Sequence, residues 1–378
     1  MGKELYRLNN MVDAKDFINY FIKKNINFFT GVPDSVLKSF INYLSLNTEK
    51  NITHRITTNE GSAISLGIGY NLTRNKIPLV YFQNSGIGHA ANPLYSLADK
   101  RIYAIPMILL IGRRGYPRKS DEPQHYRIGE ITTRFLKILN IQSFVLNKKN
   151  YKNQINKAKK IAIKKSAPVA LVVPMNFFKK YEKAKRINKK RLKIRYEYLG
   201  VILKNKSKKD TIIASLGNVS RELFVLNEKF KFNHSKTFYT IGAMGQANQI
   251  ALEVSLNKKN NTTFILDGDG AIQMHMGNLI TIAKNSKKNI THILFNNKLH
   301  ESTGFHQLAN DEIDYKMIFK ACGYKKVYYV KKLSQLDKIL KSKKKGLIAI
   351  IIDVYPGSIK NLPRPTKKPD QLKKFLNL

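Results

Sequence analysis

Tryptophan is absent from this 378-residue chain, and cysteine occurs once, at Cys322. A lone cysteine excludes an intramolecular disulfide and suits a reducing compartment. Cys322 reads as a small buried residue within 319–324. Acidic residues are scarce: 25 Asp and Glu stand against 68 Lys and Arg, a formal net charge of +43. No apolar run approaches the ~20 residues that span a bilayer. Residues 1–10 are polar and charged, with no apolar signal core. The expectation is a soluble, cytoplasmic protein without a membrane partner.

So basic a balance is the footprint of a polyanion binder. Here the lysines are spread along the chain, denser only at 179–195 and 341–345, and travel with many Asn and Ile. That pattern is a compositional drift at surface positions, so no specific nucleic-acid partner is expected. A positive field would still attract a small anionic substrate.

Apolar strands alternate with amphipathic segments. Helices are predicted at 12–24, 36–44, 60–72, from the end of a 113–125 loop to 139, and at 151–165. Strands are predicted at 26–29, 52–57, 78–83, 105–112, 143–146 and 168–174. Residues 176–195 lack a core pattern and read as an exposed linker entering a helix near 191–204. The alternation then repeats, with strands at 211–216, 237–241, 326–330 and 346–354 and helices at 220–230, 245–256, 312–322 and 334–340. The tail after Pro356 is expected to lie on the surface. Buried strands alternating with helices predict a parallel sheet covered on both faces. Two such runs predict two doubly wound α/β domains, 1–178 and 196–378, joined by a basic linker at 179–195.

Residues 265–271 read Ile-Leu-Asp-Gly-Asp-Gly-Ala, and 295–297 read Phe-Asn-Asn. A strand–helix–strand unit of roughly 30 residues carries Asp269 and Asn297 to one edge of a parallel sheet. A carboxylate beside an amide oxygen suits Mg²⁺, and glycines let backbone N–H groups approach a phosphate. An ordinary tight turn is the plainer reading of Gly-Asp-Gly alone. Glu60 sits between a predicted strand and helix, where interaction with the helix dipole would account for it. Gly61, Ala63, Gly67 and Gly69 make a small-residue face, expected where a helix packs tightly across a domain or subunit boundary.

Glu60 in the first half and Gly-Asp-Gly…Asn-Asn in the second together resemble the thiamine-diphosphate-dependent enzymes. The segments 30–37 (TGVPDSVL), 83–99 (QNSGIGHAANPLYSLAD), 121–125 (DEPQH), 242–252 (GAMGQANQIAL) and 300–302 (HES) are similar to the phosphonopyruvate decarboxylases. The likeness covers all but the linker and tail. It implies two domains of the thiamine-diphosphate-binding fold with no central third domain, the first for the aminopyrimidine and the second for the diphosphate. It implies non-oxidative decarboxylation of 3-phosphonopyruvate to phosphonoacetaldehyde and CO₂, in phosphonate biosynthesis, with thiamine diphosphate and Mg²⁺ as cofactors.

By the same resemblance Glu60 hydrogen-bonds the aminopyrimidine. Asp269, the side-chain oxygen of Asn297 and the carbonyl of Leu299 hold Mg²⁺, while Gly268, Gly270 and Ala271 contact the diphosphate. Gly242 offers a carbonyl to the amino group, and Met244 supports the bent cofactor, with core packing as the plain alternative. A phosphonate dianion needs cations and amide donors. Arg114 and His125 are the candidates, with Asn84, Ser85 and His89 lining the turn and His300 and Glu301 facing the substrate. Asp34 either relays protons, with His125 in a similar catalytic role, or caps a helix. Arg114 is equally read as a solvated loop residue.

A homodimer or higher homo-oligomer is implied, with Glu60 of one copy meeting the diphosphate site of another. Departures from the family pattern at His89, Arg113, Tyr116, Arg118, Gln246 and 304–307 (GFHQ) leave the substrate less defined than the cofactor. Sulfopyruvate decarboxylase, another 2-oxo acid decarboxylase or a carboligase is the nearest alternative. A basic nucleic-acid-binding protein on a degenerate enzyme fold is the alternative of another class.

Overall fold

Each predicted strand ends where a polar or glycine-rich turn begins, and that punctuation builds two sheets. The computed structural model describes residues 11–47, 51–117, 121–182, 192–231, 234–257, 261–287, 289–342, 345–363 and 365–376. The amino-terminal decapeptide, Arg118, most of the expected linker and part of the 341–345 lysine run lie outside them. The chain divides into two units: Met1–Lys185 with Thr303–Ala309, and Arg186–Ser302 with Asn310–Leu378.

The first unit holds β1 (Phe28–Gly31), β2 (Thr53–Ile56), β3 (Leu79–Gln83), β4 (Met107–Gly112), β5 (Gln142–Val145) and β6 (Pro168–Val173). They form one parallel sheet in the order β2-β1-β3-β4-β6-β5. Its helices are α1 (Ala14–Lys23), α2 (Lys38–Leu46), α3 (Glu60–Arg74), α4 (Ile87–Pro93), α5 (Pro123–Ile138) and α6 (Tyr151–Lys165). Every residue of β4 and β6 is buried, as expected of strands covered on both faces. Phe17, Phe29, Phe40 and Leu171 belong to one core cluster, and Ile64, Val80, Leu109 and Val172 to another.

The second unit carries α7 (Arg195–Asn205), α8 (Asn218–Lys229), α9 (Ala247–Leu256), α10 (Asp269–Met274), α11 (Asn278–Asn285), α12 (Tyr315–Ala321), α13 (Leu333–Lys341) and α14 (Pro369–Lys374). Its strands are β7 (Thr211–Ala214), β8 (Thr237–Tyr239), β9 (Thr263–Gly268), β10 (Ile290–Asn296), β11 (Lys326–Val330) and β12 (Leu347–Asp353). They pair in parallel in the order β11-β12-β10-β9-β7-β8. Taken from the other edge, this is the wiring of the first sheet, with β7, β8, β9 and β10 in the places of β1, β2, β3 and β4. The strand order reverses between β1 and β3, and again between β7 and β9. In open α/β sheets ligands bind beyond the carboxyl ends of the strands at that point.

Two expectations need correction. Arg195, assigned to the exposed linker, is 4% exposed and opens α7. Lys179 and Tyr181 are also tied down, through Lys179 N–H to the Val12 carbonyl and Tyr181 N–H to Ser39 Oγ. The tail is not merely surface-lying: Leu372 on α14 is buried, and the Phe375 ring stacks on His234 with centroids 4.6 Å apart. Its alternating basic residues concealed a short apolar anchor. The small-residue face of α3 is closely approached at two of its glycines from within the same unit. A Cβ on Gly61 would meet the His89 carbonyl at 3.1 Å and one on Gly67 the Val80 side chain at 3.0 Å, while Gly69 faces open space.

Candidate active site

In the second unit the β9 strand ends at Gly268, which pairs with Phe295 of β10. The next residue on each side of that pair gives Asp269, at the start of α10, and Asn296–Asn297, leaving β10. Asp269 Oδ1 accepts the Gly270 N–H at 2.8 Å, and its Oδ2 accepts the Lys298 N–H. Burial raises the Asp269 carboxyl to about 7, opposed only in part by backbone N–H groups and by the charge of Arg195. Asn297 Oδ1 accepts the Leu299 N–H at 3.0 Å.

Around this pair a cleft is lined by Gly217, Met244, Gly268, Ala271, Leu299 and His300, among others. A Cβ on Gly270 would lie 3.0 Å from both His300 Cε1 and Met244 Cε, a tight fit that these side chains would have to give way to. Half-buried Gly242 and Met244 follow β8. Gly245 (φ +81°) lets that turn lie against the Ala271 carbonyl and His275. Burial pulls His300 down to about 4, holding it neutral.

These residues fit a cation and a diphosphate. Asp269 is a carboxylate removed from water without a full counter-charge, beside the neutral oxygens of Asn297 and Leu299. Mg²⁺ is commonly held by one or two carboxylates together with phosphates and water. No cluster of three or more His, Cys, Asp or Glu suited to a metal occurs among the described residues, so any cation here depends on this mixed oxygen set. Arg195 also lines the cleft, and its Nη2 is buried without a partner, a donor suited to a phosphate oxygen.

The first unit gathers the other candidates beyond its own strand ends. Asn59 caps α3 by accepting the Ser62 N–H at 2.9 Å, which sets Glu60 in the first turn. Glu60 is 5% exposed, and its Oε2 lies 2.7 Å from His89 Nδ1 on α4. The hydrogen bond to Glu60 raises the His89 pKa, against the opposing effect of burial. A Cβ on Gly86 would lie 2.4 Å from Glu60 Oε1, so the carboxylate rests on bare backbone.

Asp34, beyond β1, accepts the Val36 and Leu37 N–H groups on Oδ2 at 3.1 and 3.2 Å. Its Oδ1 is buried without a partner. Burial raises this carboxyl to about 6, with Arg114 and the backbone opposing. A Cβ on Gly112 would sit 2.0 Å from Asp34 Oδ2, which makes glycine obligatory there.

A raised folded-state pKa means that the native protein binds more protons than the unfolded chain between about 3.8 and 6. Stability therefore falls as pH rises through that window. Asp34→Asn keeps the cap and removes the titration. It is expected to be more stable than the parent at pH 7, by about 2–3 kcal/mol at 1.36 kcal/mol per unit, and no more stable at pH 4. Urea unfolding at both pH values checks this; an equal difference at the two would contradict it.

Several substrate candidates are otherwise engaged. Asn84 is fully buried, donating to the Arg114 carbonyl at 2.9 Å and Thr132 Oγ1 at 3.0 Å and accepting the Arg114 N–H at 3.2 Å. It ties the ends of β3 and β4 together and does not line an open surface. Arg114 meets Asp121 through Nε at 2.9 Å and through Nη2, so its charge is already compensated. Arg113 places Nε and Nη2 on the Gly129 carbonyl, with its guanidinium 3.8 Å from the Tyr116 ring centroid. Ser85 is exposed and accepts Gln83 Nε2 at 2.6 Å. His125 falls in the first turn of α5 and is buried, not in the loop expected for it.

Glu301 lines the cleft, with its carboxylate already engaged. It accepts Arg195 Nη1 at 3.1 Å, Asn297 Nδ2 at 2.9 Å and Asn218 Nδ2 at 2.9 Å. Arg195, Glu222 and Asn218 went unnoticed in the sequence. Arg195 was hidden in a basic run. The available signal was the rarity of acids, which makes a glutamate within the 220–230 helix conspicuous.

Two parallel doubly wound units, each with its candidate residues at the same place in the sheet, define a class. Residues 12–133 match the model described as thiamine pyrophosphate enzyme, N-terminal TPP binding domain. Residues 217–354 match thiamine pyrophosphate enzyme, C-terminal TPP binding domain. Together the matches take in more than half of the chain, which belongs to the thiamine pyrophosphate enzymes. Within that family it is similar to phosphonopyruvate decarboxylases. It is 26% identical to one from Streptomyces hygroscopicus over 382 residues, covering 96% of this chain and 92% of that protein. It is 25% identical to another from Streptomyces viridochromogenes, over 96% of this chain and 93% of that one. The sulfopyruvate decarboxylase subunit beta of Methanococcus maripaludis is 28% identical over 48% of this chain and 96% of its own length. No helix among the described residues is long and apolar enough to cross a membrane.

Proposed function

We propose that this protein decarboxylates an anionic 2-oxo acid, 3-phosphonopyruvate, releasing CO₂ and phosphonoacetaldehyde. The observation that carries the chemistry is the buried Asp269 beside Asn297 at adjoining strand ends, next to a closely packed glycine. The near full-length likeness to two phosphonopyruvate decarboxylases supports the substrate. Thiamine diphosphate, when bound, would supply a nucleophilic carbon for the 2-oxo group and a thiazolium ring as the sink for the electron pair released with CO₂.

The residues would divide the remaining work. Asp269, Asn297 Oδ1 and the Leu299 carbonyl hold Mg²⁺, and the backbone of 268–271 receives the diphosphate. Gly242 and Met244 support the cofactor's rings. Glu60 hydrogen-bonds the aminopyrimidine and moves its proton, a role suited to a carboxylate shielded from water. Asp34 exchanges a proton near pH 6, as its raised pKa allows. His125 on α5 and His89 on α4 belong to the same unit. Family likeness further supports a homodimer or larger homo-oligomer in which one copy's Glu60 serves another's diphosphate site. Specific activity should then fall on dilution as the oligomer dissociates; a fully active monomer would remove this reading.

Purified protein with Mg²⁺ and thiamine diphosphate should turn over phosphonopyruvate with the highest kcat/KM among phosphonopyruvate, sulfopyruvate and pyruvate, read as CO₂ and aldehyde. Preference for sulfopyruvate would reassign the second anionic group. Turnover of pyruvate alone would overturn the substrate.

A further inference from the structure

We infer that Glu301, held by Arg195 and Asn218, is a positioning residue that fixes which end of the Asn297 amide faces the cation site. The inference rests on the cofactor reading above. An asparagine side chain is nearly isosteric about its amide, yet one end donates and the other accepts. The reversed amide would present N–H groups to a cation. A carboxylate only accepts hydrogen bonds, so Glu301 Oε2, 2.9 Å from Asn297 Nδ2, leaves the amide one allowed orientation. Asn297 Oδ1, which accepts the Leu299 N–H at 3.0 Å, is then the end left for the cation site.

Glu301 is itself fixed from two sides. Asn218 Nδ2 donates to Oε1 at 2.9 Å, and Arg195 Nη1 donates to Oε2 at 3.1 Å. Arg195 is anchored by its Nε on Glu222 Oε2 at 2.8 Å. The side chains of Arg195, Glu222 and Glu301 are only 5%, 0% and 7% exposed. A buried array of this kind is a weak source of stability, because desolvation offsets much of the attraction and apolar packing often serves as well. Its geometry has a clearer consequence. One guanidinium bridges the two carboxylates, so Glu301 is held in one place beside Asn297. The array also joins the starts of α7 and α8 to the turn after β10, so the metal-side amide is oriented from rigid elements.

The test is Mn²⁺ affinity, read by electron paramagnetic resonance of the purified protein with thiamine diphosphate present, alongside steady-state kinetics. Glu301→Gln should weaken Mn²⁺ binding by about 10–100-fold, the usual effect of removing a ligand's hydrogen-bond partner. KM for the 2-oxo acid should stay near the parental value. A raised KM with unchanged Mn²⁺ affinity would return Glu301 to the substrate and overturn the inference. A lowered melting temperature with normal Mn²⁺ affinity would also overturn it. Should Glu301→Gln fail to fold, Asn218→Ala removes one anchor of Glu301 and is expected to weaken Mn²⁺ in the same direction; unchanged affinity there counts equally against it. Asn297→Ala separates the two levels. If it leaves Mn²⁺ affinity intact, the cation site itself is misassigned.

Discussion

Glu60→Gln is expected to lower kcat for decarboxylation by about 10²–10⁴-fold, the range over which a positioned acid–base group contributes, while thiamine diphosphate still binds. The carboxylate is 5% exposed and capped into place by Asn59 at the head of α3. Glutamine keeps the shape and can still hydrogen-bond, but it cannot take up or deliver a proton. Calorimetric titration of thiamine diphosphate with Mg²⁺ separates loss of proton transfer from loss of binding. A variant with near-parental kcat would remove Glu60 from the mechanism. Gly86→Ala is a companion with all charges intact. Its methyl would fall 2.4 Å from Glu60 Oε1 and must displace the carboxylate. The same direction of effect on kcat is expected, with a stability loss of about 1–3 kcal/mol, typical of overpacking.

Asp269→Asn is expected to weaken cation-dependent cofactor binding by at least about 100-fold, the upper end of what altering a ligand's partners costs. Asp269 is the only carboxylate in the proposed donor set, the other two oxygens being neutral. Its burial makes the charged form costly unless a cation arrives. An amide would relieve that cost, so the variant should be at least as stable as the parent without ligand while failing to gain stability from Mg²⁺ and thiamine diphosphate. Thermal melts with and without both ligands measure the two effects together. A variant stabilised by ligand as strongly as the parent would exclude Asp269 from the site.

Legibility in the sequence followed local physics. The strand-to-turn transition at 265–271 could be read because an apolar run, a carboxylate and glycines lie in direct succession. The Asn297 position followed from the length of one strand–helix–strand unit. Glu60 was readable as a residue at a helix start. The identical wiring of the two sheets was not legible, since strand order depends on which strands pair and not on their succession. Arg114 and Glu301 show the limit most sharply. A charged residue in a turn looks available in the sequence, whereas Asp121 neutralises one and Arg195 with two asparagines saturates the other. Asn84 was placed in the correct turn, but its complete burial comes from partners 30 and 48 residues away.

The sequence by itself determined the class of fold and the residues near each strand end, because periodicity and turn chemistry act over a few residues; the enzyme family came from the likeness of its motifs. Only the tertiary structure decided what those residues are doing there. It showed that Glu60 rests on Gly86 and pairs with His89, that Asp34 needs the bare backbone of Gly112, and that Arg195 and Glu301 stand behind Asn297. The physical reason is common to all three: a side chain's charge, orientation and reach are set by atoms that meet it through space, from segments the sequence keeps apart.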